Sequence, residues 1–274
     1  MMKCRFESGP GECPALDLRY HDSAMEHDAS HLIPPPEFLD HLRSIRIDLD
    51  SGDIERFGEF LSLLLETNRQ FNLTAIVSPE EAWIRHIADS LTLLPFLDSS
   101  GAQAVIDVGS GGGLPGLPLA IAMPQVAFTL LEATGKKAAF LEAATKRLSL
   151  ENVRVINERA ETIGRDRAQH REHYDVAIAR AVGRLAVLLE LTVPLVNVGG
   201  HILAIKGEKA RQELEEAKQA LHMLHCRHVE TVRHETGNVI VIEKLRQTPR
   251  LYPRRPGEPK HAPLGVKKNS RDTE

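Results

Sequence analysis

The sequence predicts an α/β fold built on a largely parallel sheet with helices on both faces, and three observations predict it. Between residues 104 and 206, short apolar runs ("AVIDVG", "VAFTLLE", "NVRVIN", "YDVAIAR" and "HILAIKG") alternate with helical segments. Strands that read as near-continuous apolar runs separated by helices belong to sheets covered on both sides. The first strand opens into "GSGGGLPG", with five glycines in residues 109–116, and then into the apolar "LPLAIAM", which suits a short helix. After the fifth strand a helix is expected over about 208–224, where Ala210, Leu214, Ala217, Leu221 and Leu224 recur at four- and three-residue spacing. Two β-type runs follow, "CRHVETVRHE" and "NVIVIEKL", joined at "TGN" (236–238) as a hairpin.

Before the sheet, residues 36–97 read as a helical segment. Ile54, Phe57, Phe60, Leu61 and Leu64 give one amphipathic face. A second helix starts at "SPEE", where Ser78 can cap, Pro79 suits the first position and Glu81 completes a capping box. Its apolar stripe is Ile84, Ile87, Leu91 and Leu94, which leaves Arg85, His86 and Asp89 on other faces, with Arg85 and Asp89 spaced for an i, i+4 ion pair. Residues 1–35, ending in "IPPPE", show no sustained period and read as a disordered leader, with Met25 as an alternative initiator. Residues 98–245 hold the α/β core. The tail, 246–274, carries eight basic residues with Glu258 as the only acid before Asp272, and five prolines between 249 and 263. It is expected to be an irregular basic arm that adds little core, its concentrated positive charge suited to a polyanion.

Composition sets bounds on function. A chain of 274 residues with 42% hydrophobic and 26% charged residues is that of an ordinary globular protein, and its net charge of −4 argues against a wholly basic nucleic-acid binder. Cys4, Cys13 and Cys226 form no Cys-x-x-Cys pair, so neither a disulfide framework nor a metal site is expected, as suits a reducing cytosol. The N-terminus lacks the apolar run of a signal peptide, and no apolar stretch reaches the roughly 18 residues of a membrane span. A cytoplasmic monomer without membrane contact is the expectation.

A glycine-rich turn from strand to helix lets a ligand touch main chain near a helix N-terminus. Gly111, Gly113 and Gly116 match G-x-G-x-x-G, a weak dinucleotide signal that sits two residues late, because the turn begins at Gly109. The better register is Asp-x-Gly-x-Gly-x-Gly over Asp107, Gly109, Gly111 and Gly113. That pattern resembles motif I of class I S-adenosylmethionine-dependent methyltransferases, whose Rossmann-like sheet has seven strands and ends in a hairpin similar to the one expected here. Glu132 closes the second strand, where a carboxylate can accept both ribose hydroxyls of a nucleoside. Ala160 and Glu161 follow the third strand, where that family contacts the adenine. Two alternatives stay open: an NAD(P)-dependent oxidoreductase, which would need a substrate domain, and a non-catalytic RNA- or ribosome-binding module on the same fold.

The acceptor is narrowed by absences. The fourth strand ends "AIARAVG", without the Asn/Asp-Pro-Pro-aromatic motif common in methylation of exocyclic amines. Methylation at pyrimidine carbon needs a cysteine nucleophile, and Cys226 lies far downstream. An acceptor needing no general base fits best, such as a purine ring nitrogen with an in-plane lone pair. Arg180 and Lys206 end the fourth and fifth strands, and cations there match the acceptor edge of guanine or phosphate oxygens. Arg85 and His86 join them as candidate contacts. In the tail, Arg250, Arg254, Arg255 and Lys260 are the candidate RNA contacts.

Taken in order, "NRQFNLTAI", "RHIADSL", "IDVGSGGGLPGLPLAI", "TLLEATGKKAAFL", "ERAE", "ARAVGRL", "AIKG" and "YPRRPGEPKHAPLG" resemble the RsmG (GidB) family of small-subunit ribosomal RNA guanine-N7 methyltransferases over roughly residues 50–265. The resemblance implies S-adenosylmethionine as cofactor and N7 methylation of a guanine in the 530 loop of 16S rRNA, position 527 in conventional rRNA numbering. The substrate would be 16S rRNA, the small ribosomal subunit or an assembly intermediate. It also implies cofactor contacts from Gly109, Leu114, Ala160, Glu161 and Arg180, beside Gly111, Gly113 and Glu132 of the motif reading. Because the leader carries no periodic apolar face, a chain starting near Ile33 is expected to fold and methylate like the full chain. A large loss of melting temperature or activity in that shortened protein would refute the leader reading.

Overall fold

The apolar runs form β1 (Ala104–Val108), β2 (Ala127–Leu131), β3 (Val153–Ile156), β4 (Tyr174–Arg180) and β5 (Val196–Lys206), paired in parallel where they adjoin. The hairpin β6 (Cys226–Arg233) and β7 (Asn238–Lys244) adds two antiparallel strands, giving the order β3-β2-β1-β4-β5-β7-β6. From β1 the chain steps outward through β2 to β3 and then returns to β4 on the other side of β1. Connections diverge at that reversal, which opens a crevice at the carboxyl ends of β1 and β4, where open α/β sheets bind ligands. The computed structural model describes residues 32–45, 47 and 49–265. The expected leader lies, through residue 31, outside the described residues, as do Lys267, Lys268 and Arg271 of the tail.

The helices ahead of the sheet are α1 (Pro36–Ser44), α2 (Ser51–Asn68), α3 (Pro79–Ala82), α4 (Asp89–Leu91) and α5 (Leu94–Ser100), with a π-helical turn (Trp83–Ala88) between α3 and α4. Within and after the sheet come α6 (Gly116–Ala122), α7 (Gly135–Arg147), α8 (Ala160–Ile163), α9 (Leu185–Thr192), α10 (Ala210–Glu216), α11 (Lys218–Met223) and α12 (Glu258–His261). Ser78 Oγ accepts from Glu81 N at 3.3 Å as the sequence suggests, but its hydroxyl donates to Glu80 Oε2 at 2.7 Å and the Glu81 carboxylate faces Arg85, so the cap forms without the expected reciprocal half of the box. The helix expected over 208–224 is broken at Ala217, whose φ and ψ of −86° and −1° end α10 and begin α11, while Ala210, Ala217, Leu221 and Leu224 stay buried. Among the described residues, no helix is long and apolar enough to cross a membrane.

Strand alternation divides the core. Ile106, Ala177, Ala179, Ile202 and Ala204 face one side with α9 and α11, whereas Val105, Val176, Ile178 and Leu203 face the other with Leu93, Leu97 and Leu119. The N-terminal helices share a third cluster with the sheet's own helices: Phe57, Phe60, Leu61, Leu64 and Trp83 pack with Leu117 and Ile121 of α6, Leu130 of β2 and Leu141 of α7.

The tail departs from expectation. Tyr252 and Leu264 are buried in the α9 side of the core, so the segment does add core. Polar anchors explain how a proline-rich chain packs. The buried Arg171 guanidinium donates to the carbonyls of Gly164 (2.8 Å), Tyr252 (2.7 Å) and Thr248 (2.8 Å). Arg165 Nε donates to Pro253 O at 3.0 Å, and Arg254 makes a two-pronged pair with the fully buried Glu190, with Nη2 to Oε2 at 2.6 Å and Nε to Oε1 at 2.8 Å. Backbone carbonyls that prolines cannot pair within a helix are thus satisfied by arginines.

At the end of β1, the fully buried Asp107 ties strand to helix: its Oδ2 accepts from Gly116 N at 3.0 Å, while Oδ1 has no hydrogen-bond partner. Burial pushes this carboxyl up to about 7. A carboxyl raised on folding contributes stability at low pH, and that contribution is lost as the pH rises through the folded value. Asp107→Asn keeps an acceptor for Gly116 and removes the titration. Its stability relative to the parent is therefore expected to rise between about pH 4 and about pH 7 and then level off, read from urea unfolding; a difference that does not vary with pH would refute the burial argument.

Candidate cofactor and acceptor site

The glycine loop is shaped by two demands. At Gly109, φ is +76° and a Cβ would come within 2.9 Å of Val182, so the exposed face of the loop stays bare main chain. At Gly116 a Cβ would meet Leu130 at 2.4 Å and Asp107 Oδ2 at 2.7 Å, so here glycine is required by the fit of α6 against the sheet rather than by a ligand. Gly113 is buried in the same way, and Leu114 is buried in the N-terminal core cluster.

A pocket of about 740 Å³ opens at the carboxyl ends of β1, β2 and β4. Gly109, Glu132, Ala160 and Glu161 line it, as does the loop after β4 at Val182, Gly183 and Arg184. Glu132 is buried, and its two oxygens accept from Gly111 N at 3.0 Å and Thr134 N at 2.8 Å. A carboxylate offers about four lone-pair directions, so acceptor capacity remains for further donors. Glu161 is committed differently: Oε1 accepts from Arg159 Nη2 at 3.0 Å and from Gly257 N at 2.8 Å. Although burial opposes it, these donors hold its carboxyl below the usual range. Pro259, Lys260, His261 and Pro263 complete the lining, so the tail is a wall of this pocket. No sequence signal marks that, because α12 lies about 100 residues from Ala160 along the chain.

Beside the loop lies a second polar group. Arg180 Nη1, at the end of β4, donates to Arg85 O at 3.0 Å and pairs with Asp89 Oδ2 at 3.1 Å. Asp89 Oδ1 accepts from Thr236 Oγ1 at 2.5 Å in the β6–β7 turn. The expected Arg85–Asp89 pair is therefore not formed. The π-helical turn carries Asp89 inward against Arg180, and Arg85 approaches Glu81 instead, at 3.9 Å. His86 is buried with Nε2 2.8 Å from Thr74 Oγ1 and Nδ1 without a partner. Burial, and then the charge of Arg180, push its imidazole down to about 4, so it is neutral at pH 7 and acts as a hydrogen-bonding group rather than a cation. Thr74 is set by Asn68, whose Oδ1 accepts from Leu73 N at 2.7 Å and Thr74 N at 2.9 Å. The loop they form reaches the glycine turn, since a Cβ on Gly112 would lie 3.5 Å from Leu73 Cβ. Thr74 and Thr236 were not singled out in the sequence; only the packing of two distant turns around Asp89 and His86 shows them.

Lys206 is buried at the end of β5, where Nζ donates to Gly183 O and pairs with Glu213 Oε2 at 2.9 Å. Glu213 Oε2 also accepts from Leu185 N at 2.8 Å. The ammonium is engaged inside the protein and fixes the loop after β4. Of the tail candidates, Arg254 is bound to Glu190, whereas Arg250, Arg255 and Lys260 are exposed. Among the described residues, no group of three or more His, Cys, Asp or Glu side chains could hold a metal ion.

Comparison with known proteins places this geometry. A family model described as "rRNA small subunit methyltransferase G" (GidB) matches residues 53–241. The ribosomal RNA small subunit methyltransferase G of Sorangium cellulosum is 45% identical over 225 residues, covering 82% of this chain and 93% of that protein. That of Pelotomaculum thermopropionicum is 42% identical over 228 residues, covering 81% and 95%. An O-methyltransferase from Bacillus cereus, solved in complex with SAH, shares the fold with a TM-score of 0.51 at 17% identity, covering 74% of this chain and 94% of its own. The seven-stranded sheet is thus that of the class I methyltransferases, and the chain belongs to the GidB family, rRNA small subunit methyltransferase G.

Proposed function

We propose that this chain transfers the methyl group of S-adenosylmethionine to N7 of a guanine in 16S rRNA, the 530-loop guanine at position 527 in conventional rRNA numbering. The observation that carries the reading is the pocket at the strand reversal, with bare main chain at Gly109 and the Glu132 carboxylate on its rim. These groups fit a nucleoside cofactor: Gly109 permits close approach, and Glu132 keeps lone pairs for two ribose hydroxyls. Ala160 and Glu161 line the same pocket, with Glu161 also holding the tail. Of the other candidate contacts, Gly111 N donates to Glu132 of the lining and Arg180 ends β4 two residues before the lining residue Val182, whereas Gly113 and Leu114 are buried in packing outside the lining.

When bound, the cofactor supplies an electrophilic methyl on its sulfonium. A guanine N7 would take that methyl with its in-plane lone pair as the carbon–sulfur bond breaks and S-adenosylhomocysteine leaves, so the protein need not remove a proton. Cys226 agrees with this, because burial pushes its thiol up to about 12, so this cysteine offers no thiolate for attack at a pyrimidine carbon. Arg180, paired with Asp89 and partly exposed, is no general base and can orient a base by hydrogen bonding, whereas His86 is buried with Nε2 on Thr74 and acts within the protein. Acceleration would come mainly from holding the two reactants in line. N7 faces the deep, narrow major groove of A-form RNA, which side chains cannot read, so the target belongs in a loop or is turned out of its stack. The exposed Arg250, Arg255 and Lys260 are the tail's candidates for phosphate contact.

Two outcomes test this. Glu132→Ala is expected to weaken S-adenosylmethionine binding by about 3–6 kcal/mol, since each of two hydrogen bonds to the charged carboxylate contributes about 1.5–3. Calorimetry on the folded variant measures it, and unchanged affinity would move the ribose contact elsewhere. In the product, methyl should appear as 7-methylguanine, detected as strand scission at one guanine after borohydride and aniline. Methyl on an exocyclic amine or a ribose oxygen would refute the N7 assignment.

A further inference from the structure

The basic tail has two faces. Its solvent side carries Arg255, Lys260 and His261, while Pro259 and Leu264 are buried. Firm anchors hold it on both sides of the pocket. Upstream, Arg171 and Arg165 fix the carbonyls of Thr248, Tyr252 and Pro253, and downstream Leu264 is in the core, with Arg254 Nη2 donating to Ala262 O at 2.7 Å. Between these anchors, Gly257 takes φ +87° and starts the single turn of α12. Gly257 N donates to Glu161 Oε1, and that bond draws the turn onto the pocket floor.

The turn then presents Pro259, Lys260, His261 and Pro263 to the cavity that Gly109 and Glu132 line from the opposite, sheet side. Pro259 and Pro263 join Val187 and Leu191 of α9 as apolar lining, which is the surface a purine ring needs. Lys260 and His261 add polar atoms at the edge of that surface. An arm made only for phosphate contact would not need a buried proline, a latch to Glu161 and two exposed side chains in the lining of this cavity.

Resting on the S-adenosylmethionine reading above, we propose that residues 257–263 are part of the cofactor site, with Lys260 and His261 as binding residues and Pro259 and Pro263 as its outer wall. Cofactor affinity then depends on the tail even when no RNA is present. The exposed strip beside the wall, Arg255 and Lys260, puts phosphate contact and cofactor enclosure on one short element.

The test is calorimetric binding of S-adenosylhomocysteine, without RNA, to the full chain, to the double variant Lys260→Ala/His261→Ala and to a chain ending at residue 255. Both side chains of the double variant are exposed, so its melting temperature should stay at the parent value while its Kd rises about tenfold, a loss of about 1.4 kcal/mol. The shortened chain should bind still more weakly. If shortening unfolds the protein, the double variant decides. Kd values within twofold of the full chain would overturn the proposal, as would a double variant that loses only RNA affinity. Failure of the full chain itself to bind S-adenosylhomocysteine would instead refute the methyltransferase reading on which the proposal rests.

Discussion

The site depends on how closely α6 approaches the sheet. Asp107 at the end of β1 accepts from Gly116 N, and Gly116 carries no Cβ because Leu130 and the Asp107 carboxylate already fill that space. This contact pulls the start of α6 over β2 and compresses residues 109–115 into a turn whose outer face is main chain. The cost is a carboxyl buried without a full set of partners. Burying a carboxylate is unfavourable unless it is paired, which is why its proton is retained toward neutral pH. The glycine loop therefore answers first to packing, and its exposed part at Gly109 answers to the pocket.

Buried charge is used in the rest of the molecule as a set of internal anchors. Lys244 is fully buried, with Nζ donating to Glu172 Oε1 at 2.7 Å and to the carbonyls of Val193 and Val196, and it fixes the last strand to the end of α9. Arg171 gathers four main-chain carbonyls from two segments, and Arg254 with Glu190 seats the tail on α9. Such groups specify one arrangement more than they add stability, because the attraction is offset by desolvation. Removing one partner is what costs about 3–5 kcal/mol. The tail is held in place this way where prolines rule out regular pairing.

The polar group around Arg180 joins three parts of the chain. Asp89 comes from the N-terminal helices, Arg180 from β4 and Thr236 from the β6–β7 turn, all within hydrogen-bond reach. His86 and Thr74 extend the group toward the loop that packs on Gly112. The helices ahead of the sheet thus contribute to this polar group beside the glycine turn, and they share the core with α6 and α7 rather than standing apart.

The sequence by itself determined the α/β class, the five parallel strands, the closing hairpin, the glycine turn and Glu132 at the end of β2. Each of these is local: an apolar run fixes a strand, glycines fix a turn, and a strand's last residues fall at its carboxyl end. Ala160 and Glu161 at the pocket were legible for the same reason. Tertiary structure decided the partners of the charged residues. A formal i, i+4 spacing suggested that Arg85 and Asp89 pair, but a π-helical turn handed Asp89 to Arg180, 91 residues away. Lys206 at a strand end looked available, but Glu213 and Gly183 O hold it inside. The tail looked like an irregular basic arm adding little core because its charges and prolines dominate any local count, yet its few apolar residues and its main-chain carbonyls meet α9 and Arg171 only after the chain has closed on itself. Pairing of charges depends on distance in space and on burial, and neither can be read from spacing along the chain.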